Sequence, residues 1–205
     1  MFLAASVHYF DWLGTVASLV IGLFLGLVTE PFRLWLLRPI VVATFTRDEH
    51  CLRETPVRVT AAEAVFSSYA KVVRFFVRNT RRFVAKSCRS YLSSIEQRAA
   101  DGSYSLIFAD RLPLTWAYIG ADAIDIPGHF GLYCDLAASS EADKRLSVHT
   151  QPRPELFGTL LREKATYRFT VIVTGANINP VTIQICIDWK GDWNIQDVWE
   201  ETQSA

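Results

Sequence analysis

The chain has little of what most function classes require. Its 205 residues include one Met and four Cys, at positions 51, 88, 134 and 186, with no Cys-x-x-Cys pair. That is too sparse for a disulfide-built scaffold and lacks the paired ligand spacing of a structural zinc site. Ten Gly and eight Pro exclude collagen-like and low-complexity chains. Net charge is absent, because 21 Lys plus Arg balance 21 Asp plus Glu. No Gly-x-Ser-x-Gly elbow, Walker loop, His-Glu-x-x-His pair or Gly-x-Gly-x-x-Gly fingerprint occurs. Helix-turn-helix, zinc-finger and RRM signatures are missing as well. These absences predict a protein that is not an enzyme, needs no cofactor or metal, and reads no nucleic-acid sequence.

What is present is apolar. Half of the residues are hydrophobic and 13% are aromatic, enough buried surface to offset the ordering entropy that keeps polar chains disordered. The zero net charge hides an asymmetry. Residues 1–100 carry 13 basic and 7 acidic side chains, and residues 101–205 carry 8 and 14, so the halves are +6 and −6. Two readings follow: the halves attract each other within one domain, or a basic face is turned to a membrane or an anionic ligand.

From Trp12 to Val28 no residue is charged. These 17 residues, extended by the apolar Met1 to Phe10, approach the roughly 20 needed to cross a hydrocarbon core. Lipid offers backbone groups no partner, so such a segment must be helical. Residues 1–30 are therefore expected to be a transmembrane anchor, with Tyr9, Phe10 and Trp12 at one interface and Phe32 and Trp35 at the other. No Lys or Arg precedes the run and no Ala-x-Ala-like site follows it, which argues against a cleaved signal peptide. A buried core helix is the competing reading. The flanking Arg33, Arg38, Arg47 and Arg53 place residues 31–205 in the cytoplasm by the positive-inside rule, where the cysteines stay reduced. Gly14, Ser18, Gly22 and Gly26 recur at every fourth residue and line one stripe of the helix. Small residues there let a second helix approach closely and predict a homo-oligomer, although glycine is also simply common in membrane helices. Pro31 to Arg38 is short, mixed and basic, so residues 31–39 read as an interfacial connector.

After Pro39 the apolar period shifts toward two. Ile40 to Phe45, Lys71 to Arg78, Ala85 to Glu96, Leu112 to Ile119, Phe130 to Leu136, Tyr167 to Thr174 and Val181 to Trp189 read as strands. Gly, Pro, Asn and Asp cluster between them. Residues 136–146 and 154–164 are left for loops or one short helix. Tyr167, Phe169, Val171 and Val173 share one face, as do Val181, Ile183, Ile185, Ile187 and Trp189. This is the half-buried antiparallel pattern. Seven or more short strands with turn signals between them predict a mainly β fold, an antiparallel β-sandwich over residues 40–205.

The run Val73 to Leu92, with Asn79-Thr80 at a strand end and Ala85 beyond the turn, resembles the CARDB-like immunoglobulin-fold modules of prokaryotes. Arg81 stands where those modules usually carry Gly. The resemblance implies an immunoglobulin-like sandwich that binds or spaces a partner, no catalytic residue, and, for an anchored bacterial protein, the inner membrane.

Three features qualify as binding sites. Lys71, Arg74, Arg78, Arg81, Arg82, Lys86 and Arg89 fall within 19 residues, with Arg74 and Arg78 on one strand face and Arg81 and Arg82 at a turn. They suit anionic lipid, a bidentately held phosphate, or a solvated face that pairs with the acidic half. Asp122, Asp125, His129 and Asp135 surround Pro127-Gly128 without the EF-hand spacing and read as solvated loop carboxylates rather than a metal site. Trp193 and Trp199, among acidic residues, are either hairpin packing or a docking surface. The expected function is a non-enzymatic single-pass membrane protein whose cytoplasmic sandwich binds a partner. The alternatives are a membrane effector gated by a small anionic ligand such as a nucleotide, and an accessory subunit of a larger membrane complex.

Overall fold

The computed structural model describes residues 14–24, 37–61, 64–150 and 157–201, together with positions 26, 29, 32 and 35. The chain divides into two compact units, Met1–Arg38 and Pro39–Ala205.

In the first unit residues 14–24 are helical, and positions 26, 29, 32 and 35 are helical as well. Every described side chain of this stretch is exposed. Among the described residues no helix is long and apolar enough to cross a membrane. The aromatic residues assigned to the amino-terminal interface, Tyr9, Phe10 and Trp12, lie outside the described residues. Phe32 and Trp35, assigned to the other interface, are exposed and sit with ring centroids 6.0 Å apart.

The second unit is mainly β and consists of two packed sheets. In the first sheet, β1 (Val41–Thr44) and β2 (Leu52–Ala61) both pair with β3 (Ala64–Asn79). β3 in turn pairs with β9 (Gly131–Ser140), against which β7 (Thr115–Trp116) and β10 (Ser147–Val148) lie. The second sheet runs β13 (Val198–Glu200), β12 (Val181–Trp189), β11 (Ala165–Thr174), β4 (Ala85–Arg98), β5 (Tyr104–Phe108), with β6 (Leu112–Pro113) and β8 (Ile124–Ile126) also on β4. A single helical turn, Phe157–Leu160, precedes β11.

Alternation decides what is buried. Val73, Phe75 and Val77 of β3 face Tyr167, Phe169, Val171 and Val173 of β11 and Ile183, Ile185 and Ile187 of β12 in one core. The two late strands therefore have the faces that their sequence alternation predicts. The expected strand at 112–119 is broken: Leu112–Pro113 joins one sheet, Thr115–Trp116 joins the other, and a turn with Tyr118 at φ 68° follows. Pro113 sits where β6 ends, since it has no N–H to continue the ladder. The segment after Leu136 continues as strand to Ser140, rather than turning into loop.

The crossing from β3 to β4 carries the chain from one sheet to the other, and Asn79 organises it. This side chain is fully buried. Its Nδ2 donates to the carbonyls of Phe83 (2.5 Å) and Ile126 (3.2 Å), and its Oδ1 accepts from the Arg81 N–H (3.1 Å). Its own N–H donates to the carbonyl of Phe130. Thr80 then donates through both N–H and Oγ1 to the carbonyl of Ile40. The crossing packs so closely on the β8–β9 turn that a Cβ at Gly128 would collide with the Arg82 backbone.

Replacing Asn79 by Ala removes three hydrogen bonds, to the Phe83 and Ile126 carbonyls and from the Arg81 N–H, so a loss of about 3 kcal/mol is expected in urea unfolding. Asn79→Asp is expected to be at least as damaging despite its equal size, because it sets a carboxylate against two carbonyl oxygens. An unchanged unfolding midpoint for Asn79→Asp would mean that the amide is not what holds the crossing.

Candidate binding surface

The seven cations between Lys71 and Arg89 do not act as one group. Arg74 and Arg78 do share the outer face of β3, but the structure separates their roles. Arg74 is 5% exposed. Its Nε donates to Asp135 Oδ1 at 2.5 Å and its Nη1 to the Tyr118 hydroxyl at 2.7 Å, and its guanidinium lies 4.7 Å from the Tyr118 ring centroid. Asp135 is the direct cross-strand partner of Arg74 on β9, at a bulge in the β3–β9 ladder. Burial alone would lower the Arg74 pKa, but Asp135 and Tyr118 outweigh it and hold it above the usual arginine value. Arg53 approaches the same tyrosine ring at 5.4 Å. Arg74 is thus consumed by the fold and is not free to hold an external anion.

The other cations remain at the surface. Arg78, Arg81, Arg82, Lys86 and Arg89 are all exposed, and among the described residues none of them makes an ion pair. Backbone pairing places them around one end of the sandwich. Arg78 lies opposite Val42 and Gly131, and the Arg81 carbonyl accepts from the His129 N–H. Arg82 lies over the Phe83 ring at 4.9 Å. Lys86 is thrown outward by a bulge at the start of β4, where Ser87 takes φ 50° so that Ala85 and Cys88 can both reach the core. Arg89 pairs with Thr174 at the end of β11. The carboxylate built into this end, Asp125, accepts the Ser87 N–H at 2.7 Å.

The same end exposes apolar side chains. Ile40, Val42, Val84 and Phe130 are all among the exposed large hydrophobics, Phe130 at 53%. The hydrogen bonds from Thr80 to Ile40 and from Asn79 to Phe130 fix these residues to the basic crossing. The sequence marked the cations of this surface but not its apolar members, which lie in three separate segments. β1 begins at this end, where Val41 pairs with Asn79.

A second polar cluster, absent from the sequence expectations, crosses the outer face of the other sheet. Arg168 of β11 donates from Nε to Glu96 (2.7 Å) and from Nη1 to Glu201 (3.0 Å), with its guanidinium 3.8 Å from the Tyr104 ring centroid. Cys186 lies beside Tyr104 at 3.7 Å and Glu201 at 3.6 Å. Its thiol is fully buried, and burial pushes it up to about 11. Every cation and carboxylate here has a partner, so the cluster ties four strands together and offers no free charge. Only the outward parity of Arg168 was legible in the sequence.

The two tryptophans do not form one surface. Trp193 is half-buried in the turn after β12, and Trp199 is exposed on β13 opposite Cys186. Lys190 bridges Asp188 and Asp197 across that turn. Among the described residues no group of three His, Cys, Asp or Glu is placed to hold a metal. On the helix of residues 14–24, Gly14 and Gly22 have open space where a Cβ would stand, as does Gly26 beyond it, and Ser18 donates its hydroxyl to the Gly14 carbonyl. The small-residue stripe is unobstructed.

Asp135→Ala strands a buried guanidinium and is expected to cost about 3 kcal/mol, whereas Arg78→Ala is expected to stay within about 0.5 kcal/mol; urea titrations of the two variants compare them. All four thiols are buried, so none is expected to react with a thiol reagent at pH 8 until the protein is unfolded. Burial raises Cys88 and Cys186 from 9.0 to about 11. Between these values the folded protein keeps protons that the unfolded chain releases, so stability is expected to fall as pH rises through this window. Denaturation midpoints at pH 8.5 and 10.5 read the slope.

In comparisons with protein families, curated proteins and solved structures, the chain shows no significant match.

Proposed function

We propose that the chain is a membrane-anchored, non-enzymatic β-sandwich module that binds a partner at the bilayer surface and assembles through its anchor helix. The observation that carries this reading is the exposure of the helix of residues 14–24. Val16, Leu19, Val20, Ile21, Leu23 and Phe24 project over a broad arc opposite the Gly14, Ser18 and Gly22 stripe, with Leu19 68% and Phe24 65% exposed, and no residue of the helix is charged. A helix with a broad exposed apolar arc and no charged face needs apolar surroundings. Among the described residues the core cluster of the sandwich runs from Val41 to Val198. Lipid meets the need for the uncharged run from Trp12 to Val28, with Arg33 and Arg38 following on the cytoplasmic side.

The strand order supports an immunoglobulin-like module. Sheet order β1-β3-β9-β7 opposite β12-β11-β4-β5 corresponds to strands A-B-E-D opposite G-F-C-C′ of that fold. Such sandwiches bind through surfaces and loops, in keeping with the absence of a catalytic motif. A nucleotide-gated effector would need its arginines to converge on one pocket. Arg74 is instead buried against Asp135, while Arg78 and Arg82 stay exposed.

Two measurements test the proposal. The full chain is expected to remain in the membrane pellet after alkaline carbonate extraction, and release into the supernatant would refute anchoring. Cross-linking in membranes is expected to give a discrete oligomer that Gly14→Ile with Gly22→Ile reduces about tenfold or more by blocking close helix approach. Val20→Leu, on the opposite side of the helix, is expected to leave it unchanged. A wild-type chain that cross-links only as monomer would remove the assembly part of the proposal.

A further inference from the structure

From the end of the sandwich at which β1 begins, we infer that Arg78, Arg81, Arg82 and Lys86, with Val84 and Phe130, form a docking surface for an anionic lipid bilayer. The inference deepens the anchoring proposal and rests on it for the nearness of the membrane.

Four observations carry it. The cations of this end make no ion pair among the described residues, although the chain as a whole has as many carboxylates as cations. Buried or paired arginines elsewhere, Arg74 and Arg168, show that the fold satisfies guanidinium groups where it has use for them. Exposed apolar side chains stand among the free cations, with Phe130 at 53% and Val84 at 40% exposed. Cations flanking an aromatic and an aliphatic tip suit the boundary between headgroups and acyl chains, where the charges meet phosphate and the tips enter the apolar layer. Finally, the backbone beneath this surface is held in place: Asn79 bonds the Arg81 N–H and the Phe83 carbonyl, and the chain at Gly128 packs closely on the Arg82 backbone.

A soluble anion is the less suitable occupant. The exposed cations stand around the crossing from β3 to β4, and a small phosphate would leave the exposed Val84 and Phe130 in water. A bilayer contacts charges and apolar tips together.

The test uses the full chain reconstituted in two kinds of vesicle, phosphatidylcholine alone and phosphatidylcholine with 30% phosphatidylglycerol by mole. Amide hydrogen exchange is followed in peptides covering residues 80–86 and 127–131. Exchange is expected to be at least about fivefold slower in the anionic vesicles, with the protection lost in 0.5 M NaCl, because exposed charges are screened within a few ångströms at that ionic strength. Arg81→Glu with Arg82→Glu is expected to abolish the protection while leaving exchange in the β11 and β12 peptides unchanged, which separates lost docking from lost folding. Phe130→Ser is expected to weaken the protection without changing its salt dependence. Equal exchange in both vesicle types would overturn the inference. So would protection of the same peptides in neutral vesicles by added inorganic phosphate. Flotation with the neutral vesicles reads the anchor separately. A chain that floats with them but gains no anionic protection keeps its anchor and loses this surface. A chain that floats only with anionic vesicles loses its anchor and keeps the surface.

Discussion

The sandwich depends on one buried amide. Asn79 sits where the chain leaves one sheet for the other, and a crossing of this kind strands backbone groups that neither ladder can satisfy. Carboxamide chemistry answers the problem because a single side chain both donates and accepts. Two donors meet the Phe83 and Ile126 carbonyls, and one acceptor meets the Arg81 N–H. No hydroxyl or carboxylate offers that combination at this size. The surrounding features, from the Gly128 close approach to the outward bulge at Ser87, are arranged around it. The Asn-Thr pair that carried the family resemblance therefore has a local physical reason to be there, independent of ancestry.

What the sequence made legible was alternation, and what it hid was company. β11 and β12 were readable because large apolar residues recur at every second position, from Tyr167 to Val173 and from Val181 to Trp189. β2, β5 and β13 were not. β2 mixes Arg, Glu, Thr and Pro with its apolar residues, β5 is five residues long with two of them exposed, and β13 is three residues long. Each of the three pairs with its neighbour in the chain, β3, β4 or β12, so mixed composition and short length hid them, whereas a contact between residues far apart in the chain leaves no local trace at all. The same limit governs the candidate site. Parity correctly put Arg74 and Arg78 on one face, but it could not show that a bulge in the ladder delivers Asp135 to one and nothing to the other. The four-residue spacing of Gly14, Ser18, Gly22 and Gly26 is a property of the sequence itself and needs no tertiary information.

The opposite charges of the two halves also find an account. Arg47 with Asp197 and Arg74 with Asp135 each join a cation of the basic half to a carboxylate of the acidic half, whereas Arg168 with Glu96 runs the other way. Attraction between the halves is thus real, but it involves few of the charges. Part of the excess positive charge of the first half stays at the sandwich end, between Arg78 and Arg89, where among the described residues no ion pair is made. The readings of a self-attracting domain and of a basic face describe different subsets of the same cations.

The hydrogen bond from the Phe45 N–H to Glu200 Oε2 spans 155 residues, and Arg168 binds Glu201 beside it. The first strand of the sandwich is therefore tied to the last. Loop-closure entropy must be met before such a contact contributes, which makes sheet folds of this order slow to form. During synthesis β3 and β4 leave the ribosome well before β9 and β11, the later strands that pair with them, exist. An open, apolar-faced edge is then displayed for many seconds at ordinary elongation rates. If residues 1–30 have already entered a bilayer, each nascent chain is held apart from its neighbours during that interval. Tethering would then protect the incomplete sheet from edge-to-edge pairing, a service to folding that is finished before the mature protein does anything else.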